Sequence, residues 1–320
     1  MGKVILKSVS ARRFSLLAAI LFCTCALTAE DQPTTSPTFA VRVNTVSIDV
    51  EVLDKNGDPV LDLAENDFVV KENGRAVKIS NFSRWTDRPV SLAIILDTST
   101  ITLDKLTIAK EHIFQMLHIF DRNDELSLFS FDSRNAWLEA DLTHDKKNII
   151  DAIYNISVPS RGRGSGGFVE YLGKPPYTAL AIDKALLNME KSTLPRKALL
   201  VVSNRFRGLG PVTVDRIRDS GCTLFTLGFT NKTATLITIL GDRISKNQLM
   251  RDSGGRNFSA EDEDIPETSR TLVSTLKNYY SIGYQAEVKP GDTKRRKIEV
   301  TIPGKKYDIH ARRFYTPSTN

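Results

Sequence analysis

The sequence has few of the residues that support disulfide, redox or zinc chemistry. Its 320 residues include three cysteines and four histidines. Three cysteines cannot form the disulfide framework of a small secreted domain. The histidines show no HExxH or other ligand spacing, which argues against a zinc site; they are His112, His118, His144 and His310.

Motifs of common enzyme classes are also missing. A Gly-x-Ser-x-Gly elbow does not occur, since Arg163 stands two positions before Ser165. Lys174 is followed by Pro175 and not by Ser or Thr, so the glycine-rich stretch before it is not a phosphate-binding loop. We therefore expect a protein that is not an enzyme. A hydrolase with an unrecognised site is the remaining enzymatic alternative.

The sequence has no long apolar run of the kind that crosses a membrane. Its N-terminal apolar run covers residues 14–27, which is shorter than the roughly 20 residues of a spanning helix. Four basic residues precede this run, and Ala29 lies just before Glu30 and Asp31. This order predicts a secretory signal peptide over residues 1–29, with a retained anchor or a buried N-terminal helix as the alternative. We therefore expect an exported protein in the periplasm, the cell envelope or the extracellular space.

The net charge gives little support for nucleic-acid binding. The formal net charge is +6, but four of the positive charges lie within residues 1–29. Residues 30–87 carry five more acidic than basic residues, and residues 285–320 carry five more basic than acidic ones. Cross-strand pairs of opposite charge each contribute roughly 0.2–1 kcal/mol. We therefore expect these charges to pair the two ends of the chain, and no nucleic-acid partner.

Both ends of the exported chain show the pattern of β-strands. Residues 39–53 alternate apolar and polar side chains, and Asn73-Gly74 is typical of a tight turn. Residues 280–288, 296–302 and 306–312 alternate in the same way. We expect an N-terminal β arm over residues 30–87 and a C-terminal β arm over residues 285–320, which pack together into a small β-sandwich.

The middle of the chain alternates strands and helices. Residues 91–97 end in an aspartate after a continuous apolar run, as is typical of a strand covered on both faces. Further strands are predicted at residues 125–131, 197–203 and 222–229, and helices at residues 104–120, 146–156, 178–189, 212–219 and 264–276. This order predicts an α/β domain over residues 88–284 with a doubly wound, mostly parallel sheet.

Oxygen-bearing side chains are predicted to meet at the carboxyl ends of these strands. Asp97 and Ser99 follow the first strand, Asn204 follows a later strand, and Thr178 opens a helix. Ligands bind at this edge of an open α/β sheet, where the strand order reverses. A carboxylate with hydroxyl and amide groups suits Mg²⁺, Ca²⁺ or Mn²⁺ and not zinc. The alternative is that Asp97 caps a turn, Thr178 caps its helix and the sheet is a metal-free scaffold.

These residues resemble the metal-ion-dependent adhesion site of von Willebrand factor type A (VWFA) domains. Asp97 and Ser99 match the first two positions of the family's Asp-x-Ser-x-Ser loop, and Thr178 matches its distant threonine. Ile101 stands where the second serine is found, and Asn204 where the last aspartate is found. Together with residues 46–74 and 279–315, the chain is similar to bacterial secreted VWFA-related proteins of the acidobacterial type.

The resemblance implies a Rossmann-type, VWFA-like fold with a degenerate metal site. Because one hydroxyl and one carboxylate are missing, we expect Mg²⁺ (or Ca²⁺ or Mn²⁺) to bind weakly or not at all. The implied function is protein interaction or adhesion, with an acidic group of a protein partner at this edge of the sheet. The loop with Arg161 and Arg163, close in sequence to Thr178, is a second candidate for partner binding, and an insertion without a dedicated ligand is its alternative. The alternative function is a structural cell-envelope scaffold with a metal-free domain.

Overall fold

Strands form both ends of the described chain and alternate with helices in its middle. The computed structural model describes residues 42–132, 134–157, 177–204, 209–229, 247–261 and 264–317. The predicted signal peptide and the loop with Arg161 and Arg163 lie outside these residues. No helix within the described ranges is long and apolar enough to cross a membrane. The strands are β1 (Arg42–Leu53), β2 (Val69–Glu72), β3 (Arg75–Val77), β4 (Ile79–Trp85), β5 (Val90–Asp97), β6 (Glu125–Phe131), β7 (Ala136–Thr143), β8 (Arg196–Ser203), β9 (Thr223–Gly228), β10 (Asn257–Ser259), β11 (Tyr279–Val288), β12 (Arg296–Thr301), β13 (Asp308–Ala311) and β14 (Phe314–Tyr315). The helices are α1 (Leu103–Ile119), α2 (Lys146–Asn155), α3 (Thr178–Met189), α4 (Pro211–Ser220) and α5 (Ile265–Lys277), and residues 247–253 are also helical.

A mostly parallel sheet forms the centre of the α/β part. Among the described residues it has six strands in the order β10-β9-β8-β5-β6-β7, and only β6 and β7 are antiparallel neighbours. All eight residues of β5, one of the two middle strands, are buried. The predicted α/β class with a doubly wound, mostly parallel sheet is confirmed. The antiparallel edge strand β7 was not predicted from the sequence.

Helices cover both faces of this sheet, and β5 contributes to both interfaces. Leu92, Ile94 and Leu96 lie in the apolar cluster under α1, α2 and α5. Ala93 and Ile95 lie in the cluster under α3 and α4. A strand buried on both faces takes apolar residues on both, which is why the run from Leu92 to Leu96 does not alternate. Each large apolar side chain buried here contributes roughly 1.5–3 kcal/mol.

The two ends of the chain form a small β-sandwich beside the α/β part. One sheet has the order β13-β1-β11-β4, and the other has the order β14-β12-β2-β3. β1 pairs with β11, and β2 pairs with β12, both antiparallel. The inner faces share one apolar cluster, which includes Ile48 of β1, Tyr280 of β11 and Ile298 of β12. Strands from the N-terminal and C-terminal arms are therefore neighbours in both sheets, and the predicted flanking sandwich is confirmed.

Charged side chains join the arms to each other and also to the α/β part. Arg296 of β12 pairs with Glu72 of β2 at 2.6 Å, which links the two arms. Asp49 of β1 instead pairs at 2.8 Å with Arg196, a buried residue at the start of β8. Because β1 turns its apolar residues toward the sandwich core, its polar face meets the α/β part. Some of the charged side chains on the arms therefore stabilise the contact between the β-sandwich and the α/β part.

Candidate functional site

The site lies where the strand order of the central sheet reverses. β5 has β8 on one side and β6 on the other, and the chain passes from β5 into α1 through residues 98–102. β5 and β8 are parallel, so their carboxyl ends lie side by side. An open α/β sheet forms its ligand crevice at this position. The structure brings Asp97, Ser99 and Asn204 together there.

Asp97 is completely buried and accepts five hydrogen bonds. Its Oδ1 accepts from the backbone N–H and the hydroxyl of Ser99, at 2.8 and 2.7 Å, and from the backbone N–H of Thr100 at 3.2 Å. Its Oδ2 accepts from the hydroxyls of Thr100 and Ser203, at 2.5 and 2.6 Å. The loop after β5 is therefore folded around a single carboxylate.

These contacts determine what the Asp97 carboxylate can do. An ionised carboxylate offers about four lone-pair positions, and the five donors around Asp97 use all of them. A buried carboxylate is costly unless it is hydrogen-bonded, and the hydroxyl and amide donors around Asp97 offset this cost. Asp97 acts as an anchor for the loop and has no oxygen left over for a further ligand.

Asn204 holds the loop from the neighbouring strand. Its side-chain NH₂ donates to the backbone oxygen of Thr100 at 3.1 Å, and its Oδ1 accepts from Lys105 at 3.4 Å. An aspartate at this position could not donate to the Thr100 carbonyl, because an ionised carboxylate only accepts. The departure of Asn204 from the VWFA pattern therefore fits a structural contact.

Lys105 brings a positive charge to the same edge of the sheet. Its Nζ lies 3.2 Å from an oxygen of Glu261, in the segment after β10, and 5.3 Å from the centre of the Phe229 ring. The Lys105 and Glu261 side chains are 21% and 30% exposed, so the ion pair faces solvent in part. We call residues 97–105, Asn204 and Glu261 the rim.

The other predicted ligand positions have different environments. Thr178 is the first residue of α3 and is 1% exposed, and the helix cap is Tyr177. The hydrogen bonds described above join Asp97 to Ser99, Thr100 and Ser203, and Thr178 is not among them. Ile101 is buried in the apolar cluster under α1, so the place of the missing serine belongs to the core. Arg161 and Arg163 lie outside the described residues.

The side chains at the rim do not fit a divalent cation. Mg²⁺ requires near-octahedral oxygen ligands and gives up its water reluctantly. A cation at Asp97 would have to displace donors that already occupy both carboxylate oxygens, and Lys105 places a positive charge at the same rim. In the part of the chain that the structure describes, no three His, Cys, Asp or Glu side chains are grouped to hold a metal.

A second cluster of charged side chains, of which Lys277 and Asp124 are buried, lies at the opposite, amino-terminal edge of the sheet. The Nζ of Lys277, at the end of α5, contacts Asp87, Asp121 and Asp124 at 2.9, 2.9 and 3.0 Å. Burial alone would lower the pKa of Lys277, but hydrogen bonds to the three carboxylates outweigh it and raise the pKa. The hydrogen bond from Lys277 lowers the pKa of Asp121. This cluster ties α5 to the segments that precede β5 and β6.

Sequence reasoning gave no role to Thr100 and Ser203, although both lie in the segments that it placed at the carboxyl ends of the strands, and it missed Lys105 and Glu261. Lys105 and Glu261 lie far apart in the chain, and no local pattern joins them. Only the packing of α1 against the segment after β10 brings the two together.

Known proteins offer limited comparison. No protein-family model and no curated protein sequence matches the chain. Among solved structures it is similar to the conserved hypothetical protein BatB from Bacteroides thetaiotaomicron, at 15% identity and a TM-score of 0.44, over 59% of this chain and 99% of that one. It is also similar to the vWF domain of the type V pili tip protein Mfa5 from Porphyromonas gingivalis, at 10% identity and a TM-score of 0.43, over 59% and 97%. The SpRpn10 VWA domain matches at 8% identity and a TM-score of 0.41, over 57% and 94%. These values are too low to transfer a function to this chain.

Proposed function

We propose that the chain is an exported, non-enzymatic protein-interaction module of the VWFA type, and that its partner docks on the rim. The observation that carries this proposal is the construction of the loop after β5. The buried Asp97 fixes the loop with five hydrogen bonds. Leu103, which follows the loop as the first residue of α1, is 71% exposed. A loop that is already ordered loses little conformational entropy when it binds.

The surface of the rim carries one apolar group and one charged pair that a partner could contact. Leu103 offers an exposed apolar side chain, and the Lys105–Glu261 ion pair lies at the same rim, partly exposed. Apolar contact provides affinity at such surfaces, and charged groups around it provide specificity. An acidic group on the partner would form an ion pair with Lys105 and so replace Glu261.

The hydrogen bonds on both oxygens of Asp97 favour a binding function over catalysis by this carboxylate. A general base must have an oxygen within reach of the proton that it removes. Both oxygens of Asp97 accept hydrogen bonds from its own loop and from Ser203, so the carboxylate is committed to structure. This supports a role for Asp97 in shaping the loop.

We propose that the rim acts without Mg²⁺, Ca²⁺ or Mn²⁺. Calorimetric titration with each cation to millimolar concentration should give no saturable heat, because a metal must displace the donors around Asp97. Saturable binding that disappears in Asp97→Asn would contradict the metal-free proposal and restore the degenerate adhesion site.

A cell-envelope scaffold is the second candidate function. The ion pairs between the β-sandwich and the α/β part favour it, since Arg196–Asp49 and Arg256–Glu51 join the two layers at 2.8 and 3.1 Å. A scaffold needs such rigidity but no docking surface at the rim.

Site-specific photo-crosslinking separates the two candidates. A photoreactive residue replaces Leu103 at the rim or, as the matched control, Tyr154, which is 69% exposed on α2. Crosslinking is carried out in cells that produce and export the protein. A discrete adduct from position 103 and none from position 154 is expected. The same adducts from both positions, or none from position 103, would overturn docking at the rim.

A further inference from the structure

One lysine side chain of α1 reaches across the carboxyl ends of three strands of the central sheet. The Nζ of Lys105 lies 3.2 Å from Oε1 of Glu261, which follows β10. The same Nζ donates to Oδ1 of Asn204 at 3.4 Å and lies 5.3 Å from the centre of the Phe229 ring, and these two residues follow β8 and β9. An ammonium group near an aromatic ring is stabilised by attraction to the face of the ring. Asn204 and Phe229 therefore continue to hold the ammonium group when the Glu261 carboxylate moves away.

The segment that carries Glu261 is held in place by its backbone. The backbone N–H of Ala260 donates to the carbonyl oxygen of Gly228 at 2.9 Å. The carbonyl oxygen of Ala260 lies 3.3 Å from Nε2 of His112 on α1. Neither contact involves the Glu261 carboxylate. The Glu261 side chain can therefore leave Lys105 by rotation about its own bonds while the segment keeps its position.

The Lys105–Glu261 ion pair is weak enough to be exchanged. The two side chains are 21% and 30% exposed, so water solvates both in part. An ion pair of this kind changes an equilibrium constant by about two- to fivefold. A carboxylate from outside the chain that competes with Glu261 for the same ammonium group therefore loses only this factor in affinity.

Contact with Lys105, and not the overall charge around it, favours an incoming carboxylate. Asp104, the neighbouring residue in the first turn of α1, is exposed and acidic. A hydrogen bond from the Thr102 hydroxyl lowers the pKa of Asp104, which therefore stays ionised. Asp104 and Glu261 together carry more negative charge than Lys105 offsets, so we expect no long-range attraction of acidic partners. A carboxylate gains a favourable contact only when it reaches the ammonium group and takes the place of Glu261.

We infer that Glu261 is a displaceable internal ligand of Lys105, which occupies the rim until a carboxylate of the partner protein takes its place. This inference rests on the proposed docking at the rim and adds the way in which that docking is regulated. The partner contributes either an Asp or Glu side chain or a C-terminal carboxylate, since both present the same two oxygens to an ammonium group.

¹³C NMR of lysine side chains tests the inference on the full chain. Lysines are labelled at Cε, and the Lys105 signal is identified by its absence in Lys105→Met. Three probes are titrated at constant ionic strength. N-acetylglutamate α-amide has a side-chain carboxylate, N-acetylglutamine has a C-terminal carboxylate, and N-acetylglutamine amide has neither. A carboxylate probe should shift the Lys105 signal and the neutral probe should not, and the tighter of the two carboxylates identifies the group that the partner presents.

Removing the internal ligand should open the site. Glu261→Gln should tighten carboxylate binding about two- to fivefold, because the competing carboxylate is lost, and should leave the neutral probe unchanged. The matched control is Glu111→Gln, which removes an exposed carboxylate six residues further along α1 and should change neither. In the crosslinking experiment, Glu261→Gln should increase the adduct from position 103.

The outcomes separate this inference from docking itself. A Lys105 signal that no carboxylate shifts even in Glu261→Gln, or an equal gain in Glu111→Gln, would overturn the inference. An adduct from position 103 that Glu261→Gln leaves unchanged would also overturn it, while docking at the rim would stand. Tighter carboxylate binding in Glu261→Gln without any adduct from position 103 would overturn docking and still support Glu261 as the internal ligand of Lys105.

Discussion

Replacing Lys277 with methionine tests how much of the stability depends on the charge cluster at the amino-terminal edge of the sheet. Methionine keeps most of the apolar length of the lysine stem but removes the ammonium group. The change leaves Asp87, Asp121 and Asp124 without their common partner. The structure predicts a large loss of stability, and almost all of it should come from Asp124.

The three carboxylates differ in how far solvent can replace the lysine. The side chains of Asp87 and Asp121 are 82% and 41% exposed, so each pair contributes only about 0–1 kcal/mol. Asp124 is 0% exposed, and removing one partner of a buried pair costs about 3–5 kcal/mol. Asp124 still accepts hydrogen bonds from the backbone N–H groups of Val90 and Asp121, at 3.0 and 2.8 Å, which offset part of this cost. We expect Lys277→Met to lower the free energy of unfolding by about 2–4 kcal/mol.

Urea unfolding followed by circular dichroism measures this change. The matched control is Lys147→Met, which removes an exposed lysine paired with Asp151 and should cost less than about 0.5 kcal/mol. A loss below about 1 kcal/mol in Lys277→Met would refute this reasoning.

Two further predictions concern single carboxylates. Asp97→Asn should lower the free energy of unfolding by about 1–3 kcal/mol in the same urea assay, because an amide NH₂ replaces one of the two acceptor oxygens of the loop; a loss below about 1 kcal/mol would contradict the anchoring role of Asp97. Asp141 should titrate with a pKa of about 2 by ¹³C NMR, since hydrogen bonds from Lys191 and Asn188 lower its pKa from 3.8. Its folded pKa lies below the unfolded value, so its contribution to stability is present above about pH 4 and is lost as the pH falls toward 2. Lys191→Met should raise this pKa, and an unchanged titration would show that the contact is absent in solution.

The central sheet was predictable because the burial of its strands determines the hydrophobic pattern of their residues. The run that becomes β5 is apolar from Leu92 to Leu96, as is typical of a strand covered on both faces. β7 escaped prediction because its burial is irregular, with Ala136 and Ala140 buried and three exposed residues between them. An edge strand of this kind follows neither the alternating nor the continuous pattern.

The candidate site was predictable only where its residues are close in the chain. Asp97, Ser99 and Asn204 follow strands, and the rule for open α/β sheets places them at one edge. The Lys105–Glu261 pair depends on how α1 packs against the distant segment after β10. No local pattern reports such contacts.

The sequence by itself determined the α/β class and the β character of both arms, because hydrophobic periodicity follows from local geometry: two residues per repeat in a strand and 3.6 in a helix. Only the tertiary structure decided which partners each polar group contacts. Asp97 resembled a metal ligand in sequence, and folding surrounds it with five donors. The acidic and basic arms predicted pairing with each other, and folding directs Asp49 and Glu51 to arginines of the α/β part. The physical reason is that a polar group's role depends on the distances to its partners and on its exposure to water, and both arise only when distant segments pack together.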